Sequence, residues 1–428
     1  MALGVTAGCS IGPFGHSAEE VTVKPGLHGR TFGDVMHPSS TATATDVAVE
    51  SGTTPPAWGE MTRTHWNQRG AFTHSQQPIA LSKLPTDVPG SALQDGGATY
   101  PGTNGSLKNA DVSFTVTAQR FALVFPGNQD VDAMVWIDSR PVAAEPIVAD
   151  GPPRTATTNW ISITLPKRRT VTVRFAGPLG FTGVDAPAAE NAVIRATKPA
   201  VTLGVLSDSY YDLCMQALCM SRTAAPMLAT LTGFRVWNMS EVGTGYLNPG
   251  RNAALGLKPS PFGSPGRLRA VADAPIDALL IGGSINDALM PQRRYRATVD
   301  RLLDAVERKR PELPIVLLGV EPLGGEFEGA FWRRRGETMT AVLRSMVTRH
   351  PNVVGFIDPF SKPWLTGTGS IVKPTGDGND DQFIGADGIH PSIAGTRFYQ
   401  EKVAAALRQI PFPTSLSPTS TAPSPSGS

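Results

Sequence analysis

The sequence predicts an α/β protein in which a three-layer domain with a parallel sheet is preceded by an all-β, jelly-roll-like sandwich domain. Two observations lead to this prediction. Residues 198–412 alternate short apolar runs with longer segments of helical spacing, as in a parallel sheet covered by helices on both faces. Residues 61–197 show short segments of alternating polar and apolar residues separated by turn residues, as in a β-sandwich.

Composition limits the classes of function. The chain has 428 residues, enough for two domains with separate cores, and a formal net charge of +2. It has neither a stripe of Lys and Arg nor alternating aromatic and basic residues, so we expect no nucleic-acid partner. No apolar run approaches the roughly 18 to 20 residues that a membrane-spanning helix needs, so we expect no transmembrane segment. The sequence leaves the oligomeric state open.

Both ends of the chain are interpreted as segments outside the two domains. Residues 1–60 are rich in Ser, Thr, Gly and Pro without sustained periodicity, so we expect a leader or spacer. The small residues before Cys9 resemble the end of a bacterial lipoprotein signal, which would make Cys9 a lipid anchor; an accidental match is the alternative, since a basic segment and a long apolar core are missing. Residues 413–428 are mostly Ser, Thr and Pro, which predicts a disordered tail.

Short strand candidates support the all-β prediction for residues 61–197. No helical segment longer than two turns is evident there, and turn residues such as those at 166–169 separate the candidates. Trp66, Trp136 and Trp160 could form a platform that stacks against a sugar, although tryptophans in strands are more often part of the core. The strand candidates are 112–116, 120–125, 133–138, 161–165 and 171–175.

Strands alternate with helices in residues 198–412. Right-handed crossovers then make the strands parallel and place a ligand site at their carboxyl ends. Cys214 and Cys219 lie on different faces of the first predicted helix, which favours two buried thiols over a disulfide. The predicted strands are 201–206, 234–237, 277–282, 314–319 and 353–357, and the predicted helices are 211–231, 294–310, 329–349 and 392–408.

Polar residues follow the first three of these strands. Ser209 lies at the turn into the first helix, where a serine can act as a nucleophile and helix N–H groups can stabilise an oxyanion. The simpler role for Ser209 is a helix N-cap. Gly243 follows the second strand, where a backbone N–H can approach a ligand closely, and Asn286 follows the third strand and offers a side-chain amide.

A carboxylate and an imidazole follow the fifth strand. Asp387 and His390 are three residues apart, and serine attack on a carbonyl needs a base with a carboxylate to orient it. His350 is the other histidine in residues 198–412, and it lies at the charged end of a helix. His390 is therefore the candidate base. Alone, Asp387 and His390 could also form a capped turn before the last helix.

Together these segments resemble the SGNH (GDSL-type) hydrolase family. The family's motifs occur in order, first at Ser207, Asp208 and Ser209. The resemblance implies a flavodoxin-like fold and an ester hydrolase with a catalytic triad, and it has two departures, because Ser207 and Ser284 stand where the family has glycine. By matching position, Ser209 would be the nucleophile, Asp387 and His390 would complete the triad, and Ser209, Gly243 and Asn286 would form the oxyanion hole.

Neither a cofactor nor a metal is expected. Such a reaction needs no organic cofactor, and neither zinc-ligand spacing nor a complete dinucleotide motif occurs. Residues 377–381 resemble the start of a calcium loop, but Gln382 occupies the position that requires glycine, so we reject a calcium site.

The order of the two domains suggests a substrate class. A sandwich followed by an SGNH domain is similar to two-domain carbohydrate acetylesterases, which implies removal of O-acetyl or other short acyl groups from a polysaccharide or cell-envelope glycan by a secreted or cell-surface protein. One alternative is a lipase or thioesterase that acts on longer acyl chains. Another is an inactive glycan-binding protein of a cell surface or a phage tail, in which the two serine departures would mark lost activity.

Overall fold

The computed structural model describes residues 21–27, 29–66, 72–74, 109–126, 131–149, 158–178, 181–197, 201–212, 220–250, 260–321 and 329–413. Cys9, Cys214, Cys219 and the predicted tail beyond residue 413 lie outside this part of the chain, so their predictions stay as they are. Within it, the strands form a six-stranded and a ten-stranded sheet. None of the described helices is long and apolar enough to cross a membrane.

The six-stranded sheet confirms the α/β prediction. Each of the five predicted strands is present within one residue of its predicted bounds, and all five are parallel and buried except at Arg235. The strands are β1 (Val21–Val23), β12 (Thr202–Leu206), β13 (Arg235–Asn238), β14 (Ala278–Gly283), β15 (Ile315–Val320) and β16 (Val353–Ile357). Their order in the sheet is β1-β16-β15-β14-β12-β13, so the chain runs from β12 to one side of the sheet and then returns past β12 to the other side.

Helices cover both faces of this sheet because each buries an apolar face. The helices at residues 265–273, 292–309 and 330–349 pack on one face, and those at 224–232 and 393–407 pack on the other. The predicted helix 211–231 is not continuous: one helix ends at Asp212 and the next begins at Ala224, with Pro226 in its first turn. The helices are α1 (Ser209–Asp212), α2 (Ala224–Thr232), α3 (Pro265–Asp273), α4 (Gln292–Lys309), α5 (Ala330–Arg349), α6 (Asp380–Phe383) and α7 (Ile393–Leu407).

The prediction of a spacer over residues 1–60 is wrong from residue 21 onward. The strand β1 pairs antiparallel with β16 at the sheet edge, and Phe32 lies fully buried against Phe234 and Phe412. Residues 48–52 form a strand of the other sheet. These segments are too short for periodicity to be visible in sequence, because their order comes from partners elsewhere in the chain.

The ten-stranded sheet is antiparallel, which agrees with the all-β prediction. Hydrogen bonds connect its described strands into one sheet, and a sandwich arrangement stays a prediction. The strands are β2 (Ala48–Gly52), β3 (Met61–Trp66), β4 (Phe72–His74), β5 (Asn109–Pro126), β6 (Val131–Ile137), β7 (Arg140–Pro141), β8 (Ile147–Ala149), β9 (Thr158–Pro178), β10 (Gly183–Pro187) and β11 (Val193–Ala196).

Four of the predicted short strands merge into β5 and β9. The predicted turn at 166–169 is instead part of β9, where the register with β5 shifts between Ala118 and Arg120. Trp136 and Trp160 are both buried, so they cannot form a sugar-stacking platform at the surface. Trp136 packs under the Arg174 guanidinium at 4.4 Å, and Trp160 donates its ring N–H to Asp185 at 3.0 Å. Trp66 lies in β3.

Candidate active site

All the candidate site residues follow the carboxyl ends of parallel strands. Ser209 follows β12, Gly243 follows β13, Asn286 follows β14, and Asp387 and His390 lie beyond β16. Because β12 lies between β13 and β14, the first three segments leave adjacent strands at the point where the connections change direction. In open α/β sheets this is the usual location of a ligand site.

Ser209, His390 and Asp387 form a continuous hydrogen-bonded chain. His390 Nε2 lies 2.9 Å from Ser209 Oγ, and His390 Nδ1 lies 2.5 Å from Asp387 Oδ2. The Nδ1 proton faces the carboxylate, so Nε2 is left to accept the serine proton. The structure thus brings together three side chains that span 181 positions of sequence between Ser209 and His390.

Asp387 is held as a carboxylate. Burial acts to raise its pKa, but hydrogen bonds from the His390 ring and the backbone N–H groups of His390 and Ile389 outweigh burial and lower the pKa. Tyr210 supports the same turn, because its hydroxyl donates to the Ile389 carbonyl at 3.3 Å. The Asp387 charge therefore faces His390 in a fixed orientation.

Asp208, the residue before the candidate nucleophile, joins the β12 and β14 segments. Its Oδ2 accepts hydrogen bonds from Ser284 Oγ at 2.6 Å and Asn286 Nδ2 at 3.1 Å, and its Oδ1 accepts from the Tyr210 N–H at 3.1 Å. Burial raises the pKa of Asp208, and the bonds from Ser284 and Tyr210 act against this rise. Sequence reasoning gave Asp208 no role, although it lies in the same motif as Ser209.

Ser284, one of the two departures from the family pattern, is a hub of this network. Besides its bond to Asp208, its hydroxyl lies 2.7 Å from the Thr244 carbonyl oxygen and accepts from the Asn286 N–H at 3.2 Å and from Asn286 Nδ2 at 2.9 Å. The hydroxyl also caps the single turn Ile285–Asp287. Ser284 therefore adds hydrogen bonds to the site that glycine at this position could not form.

Two backbone N–H groups are available to an oxyanion. The N–H of Ser209, at the start of α1, and the N–H of Gly243 form no hydrogen bond with any described residue. Gly243 has φ +71°, a left-handed conformation that favours glycine. The Asn286 amide differs, because its Nδ2 donates to Asp208 and, at 3.0 Å, to the Thr244 carbonyl.

Asp287 fixes the loop that follows Gly243. Its carboxylate accepts the backbone N–H groups of Tyr246 at 2.6 Å, Leu247 at 3.0 Å and Asn248 at 2.8 Å. A Cβ at Gly245 would lie only 2.5 Å from this carboxylate, so the loop requires glycine there. Burial raises the pKa of Asp287 to about 6, and the three N–H donors oppose the rise.

A buried arginine joins three loops of the same edge. Arg267, on α3, donates to the carbonyl oxygens of Ser207 at 3.2 Å and Met239 at 2.7 Å, and to Thr244 Oγ1 at 3.0 Å. Its charge is balanced by Glu241 at 3.6 Å. No sequence pattern singled out Arg267, because α3 has few apolar residues and was not predicted.

Among the residues that the structure describes, one group of side chains could hold a metal ion, and it lies towards the amino ends of the strands. Asp304, Glu307 and His350 offer ligand atoms within 4.8 Å of one another. His350 precedes β16, whereas the triad lies beyond the other end of the strands. Its Nε2 already lies 3.2 Å from Asp300. This group therefore takes no part in the candidate active site.

Comparison with known proteins found structural similarity only. No protein-family model and no curated protein matches the chain. A family two carbohydrate esterase from Clostridium thermocellum aligns with 70% of this chain and 91% of its own, at 16% identity and a TM-score of 0.46. A GDSL-like lipase from Bacteroides ovatus aligns with 72% and 87%, at 14% identity and a TM-score of 0.45. The salicylyl-acyltransferase SsfX3 from a tetracycline biosynthetic pathway aligns with 86% and 100%, at 16% identity and a TM-score of 0.48.

The chain is similar in structure to esterases. At this level of identity they assign no activity to the chain, which has to be argued from its own residues.

Proposed function

We propose that this chain is a carboxylic ester hydrolase that works through an acyl-serine intermediate. The observation that carries the proposal is the chain of hydrogen bonds from Ser209 Oγ to His390 Nε2 and from His390 Nδ1 to Asp387, at 2.9 and 2.5 Å. This arrangement lets a base remove the serine proton as the oxygen attacks a carbonyl.

The reaction would proceed in two steps. His390 takes the proton of Ser209 Oγ while the oxygen attacks the ester carbonyl, and the resulting oxyanion accepts hydrogen bonds from the Ser209 and Gly243 N–H groups. The C–O bond to the alcohol then breaks, and the alcohol leaves with the proton from His390. A water molecule, deprotonated by the same imidazole, cleaves the acyl-serine and releases the acid.

Asn286 would join the oxyanion hole only after a small rearrangement. Its amide donates to Asp208 and to the Thr244 carbonyl, and exchange of the Thr244 contact for the substrate oxyanion would leave the Asp208 contact to orient it. A donor that is fixed on one side by a carboxylate needs little reorganisation during the reaction.

The preferred substrate is an O-acetyl or other short-acyl ester of a polysaccharide or cell-envelope glycan, acted on outside the cell or at its surface. The order of the two domains in the sequence supports this choice. The intact triad contacts and the added bonds of Ser284 argue against an inactive glycan-binding protein.

Exposed apolar side chains favour a second candidate, hydrolysis of longer acyl esters. Leu289 is 68% exposed three residues after Asn286, and Val372 is 63% exposed in the segment between β16 and His390. Both belong to segments that leave the carboxyl ends of strands, where a long acyl chain would be bound. A series of p-nitrophenyl esters of increasing acyl length separates the two candidates, because a deacetylase loses rate steeply beyond acetyl.

The proposal is tested by Ser209→Ala on p-nitrophenyl acetate. Loss of the nucleophile should lower turnover by at least about 1,000-fold. Ser345→Ala is the matched control, because the Ser345 hydroxyl on α5 bonds, within the described chain, only to the Val342 carbonyl oxygen and the Arg296 guanidinium, and neither residue belongs to the candidate site. Undiminished turnover by Ser209→Ala would refute the proposal.

A further inference from the structure

A fully buried glutamate lies at the carboxyl end of β15, at the same end of the sheet as Ser209. Glu321 directly follows β15, the neighbour of β14, and is 0% exposed. Neither of its carboxyl oxygens has a hydrogen-bond partner in the described part of the chain. An ionised carboxylate that is buried without a partner costs several kcal/mol, which favours the protonated, neutral form of Glu321.

Glu321 lies beneath the turn that carries Ser209. The side chains of Glu321 and Ser207 both face the position that a Cβ would take on Gly282, because such a Cβ would lie 3.4 Å from Glu321 Oε1 and would also contact Ser207 Oγ. Ser207 Oγ is likewise buried without a partner among the described residues. Ser207 immediately precedes Asp208, the carboxylate that orients Ser284 and Asn286.

Asp208 and five buried tyrosines interact electrostatically with Glu321. Burial, and after it the charge of Asp208, raise the pKa of Glu321 well above its usual range, with its own backbone N–H acting in the opposite direction. Burial also raises the pKa of each of the five phenols well above its usual value, so the phenols stay neutral when Glu321 titrates. They are Tyr210 and Tyr211 on α1, Tyr246 in the loop after β13, Tyr295 on α4 and Tyr399 on α7.

We propose that Glu321 is a positioning residue for the esterase reaction proposed above: its neutral carboxyl keeps a further buried negative charge away from Asp208, and loss of the Glu321 proton at alkaline pH inactivates the enzyme. Two carboxylates in one buried region repel each other, so both are ionised only at a cost in stability. The second charge acts against Asp208, whose hydrogen bonds hold the Ser209 turn and the Asn286 amide together.

Glu321→Gln tests this role, because it keeps the shape of the side chain and cannot ionise. The wild type should show a kcat/KM that falls at alkaline pH, and the variant should stay within about threefold of its maximum where the wild type has lost about tenfold. The acid side of the profile should not change, because there Glu321 is neutral in the wild type and the substituted side chain carries no charge. An alkaline fall that is equal in both proteins, or absent from the wild type, would overturn the proposal. So would a loss of about 100-fold or more at pH 7 in a folded variant.

A second measurement does not depend on activity. The unfolded glutamate ionises near pH 4.3, whereas the native one keeps its proton to higher pH, so the wild type loses stability relative to Glu321→Gln as pH rises above about 4. The difference in Tm between the two proteins should therefore widen between pH 5 and pH 9. A constant difference would contradict a neutral Glu321. If it widens while neither protein cleaves esters, only the proposed esterase function fails.

Discussion

Removal of the Ser284 hydroxyl should lower kcat by more than the accompanying loss in the free energy of unfolding would explain. In Ser284→Ala, Asp208 loses its 2.6 Å donor, and Asn286 loses the acceptor of its backbone N–H and one of the three acceptors of its side-chain amide. Asp208 keeps the Tyr210 N–H and the Asn286 amide, so the Ser209 turn remains folded.

The magnitude follows from these contacts. One hydrogen bond to a buried charged group contributes about 1.5 to 3 kcal/mol, so the free energy of unfolding should fall by that amount. Complete loss of one oxyanion-hole donor costs about 100- to 1,000-fold in kcat, and an Asn286 amide that is only misoriented should cost about 10- to 100-fold. KM should change little, because the contact acts through the transition state.

The assay compares kcat and KM on p-nitrophenyl acetate with urea unfolding of the same protein. Ser345→Ala, which removes a hydroxyl that bonds to the Val342 carbonyl oxygen at 2.7 Å within α5, should lose about 1 kcal/mol of stability or less and keep its kcat. If Ser284→Ala lost stability and kept the kcat of the control, the hydroxyl would only support the fold, and our reasoning about Asn286 would be refuted.

Two further predictions concern neighbouring segments. Gly243→Ala should lower kcat on the same ester by at least about tenfold. A side chain at φ +71° is strained by about 1 kcal/mol or more, and relaxation of the turn moves the N–H away from the oxyanion. An unchanged kcat would show that Gly243 is not part of the site. Asp287 has a folded pKa of about 6, above its unfolded value, so its contribution to stability is lost as pH rises from about 4 to 6. The free energy of unfolding in urea, taken as wild type minus Asp287→Asn, should therefore decrease by up to about 3 kcal/mol over that range. A difference that does not depend on pH would contradict the raised pKa.

The sequence predicted those parts of the fold in which local pattern and burial agree. The parallel strands are continuous apolar runs, because both faces of each are covered, and their bounds were correct within one residue. β1 and the Phe32 turn were missed, because three- and four-residue segments acquire structure only from tertiary partners. The long strand β9 was divided at Pro166, because a proline in a bulge looks like a turn.

The candidate site could be predicted as far as its residues follow strand ends. Ser209, His390 and Asp387 were found because nucleophile, base and carboxylate have distinct chemistry at those positions. The supporting residues were not. Arg267 and Ser284 act through carbonyl oxygens and a carboxylate from other segments, and sequence spacing carries no information about such contacts. Glu321 was also missed, because nothing in its local sequence indicates that it is buried.

The central claim is that His390 activates Ser209, and labelling with a serine-directed fluorophosphonate tests it most directly. In the wild type, peptide mass spectrometry should place the phosphonyl group on Ser209. In His390→Ala the same site should react at least about 100-fold more slowly, because general-base catalysis contributes at least that factor. A label on another serine, or equal labelling rates in the two proteins, would contradict the account.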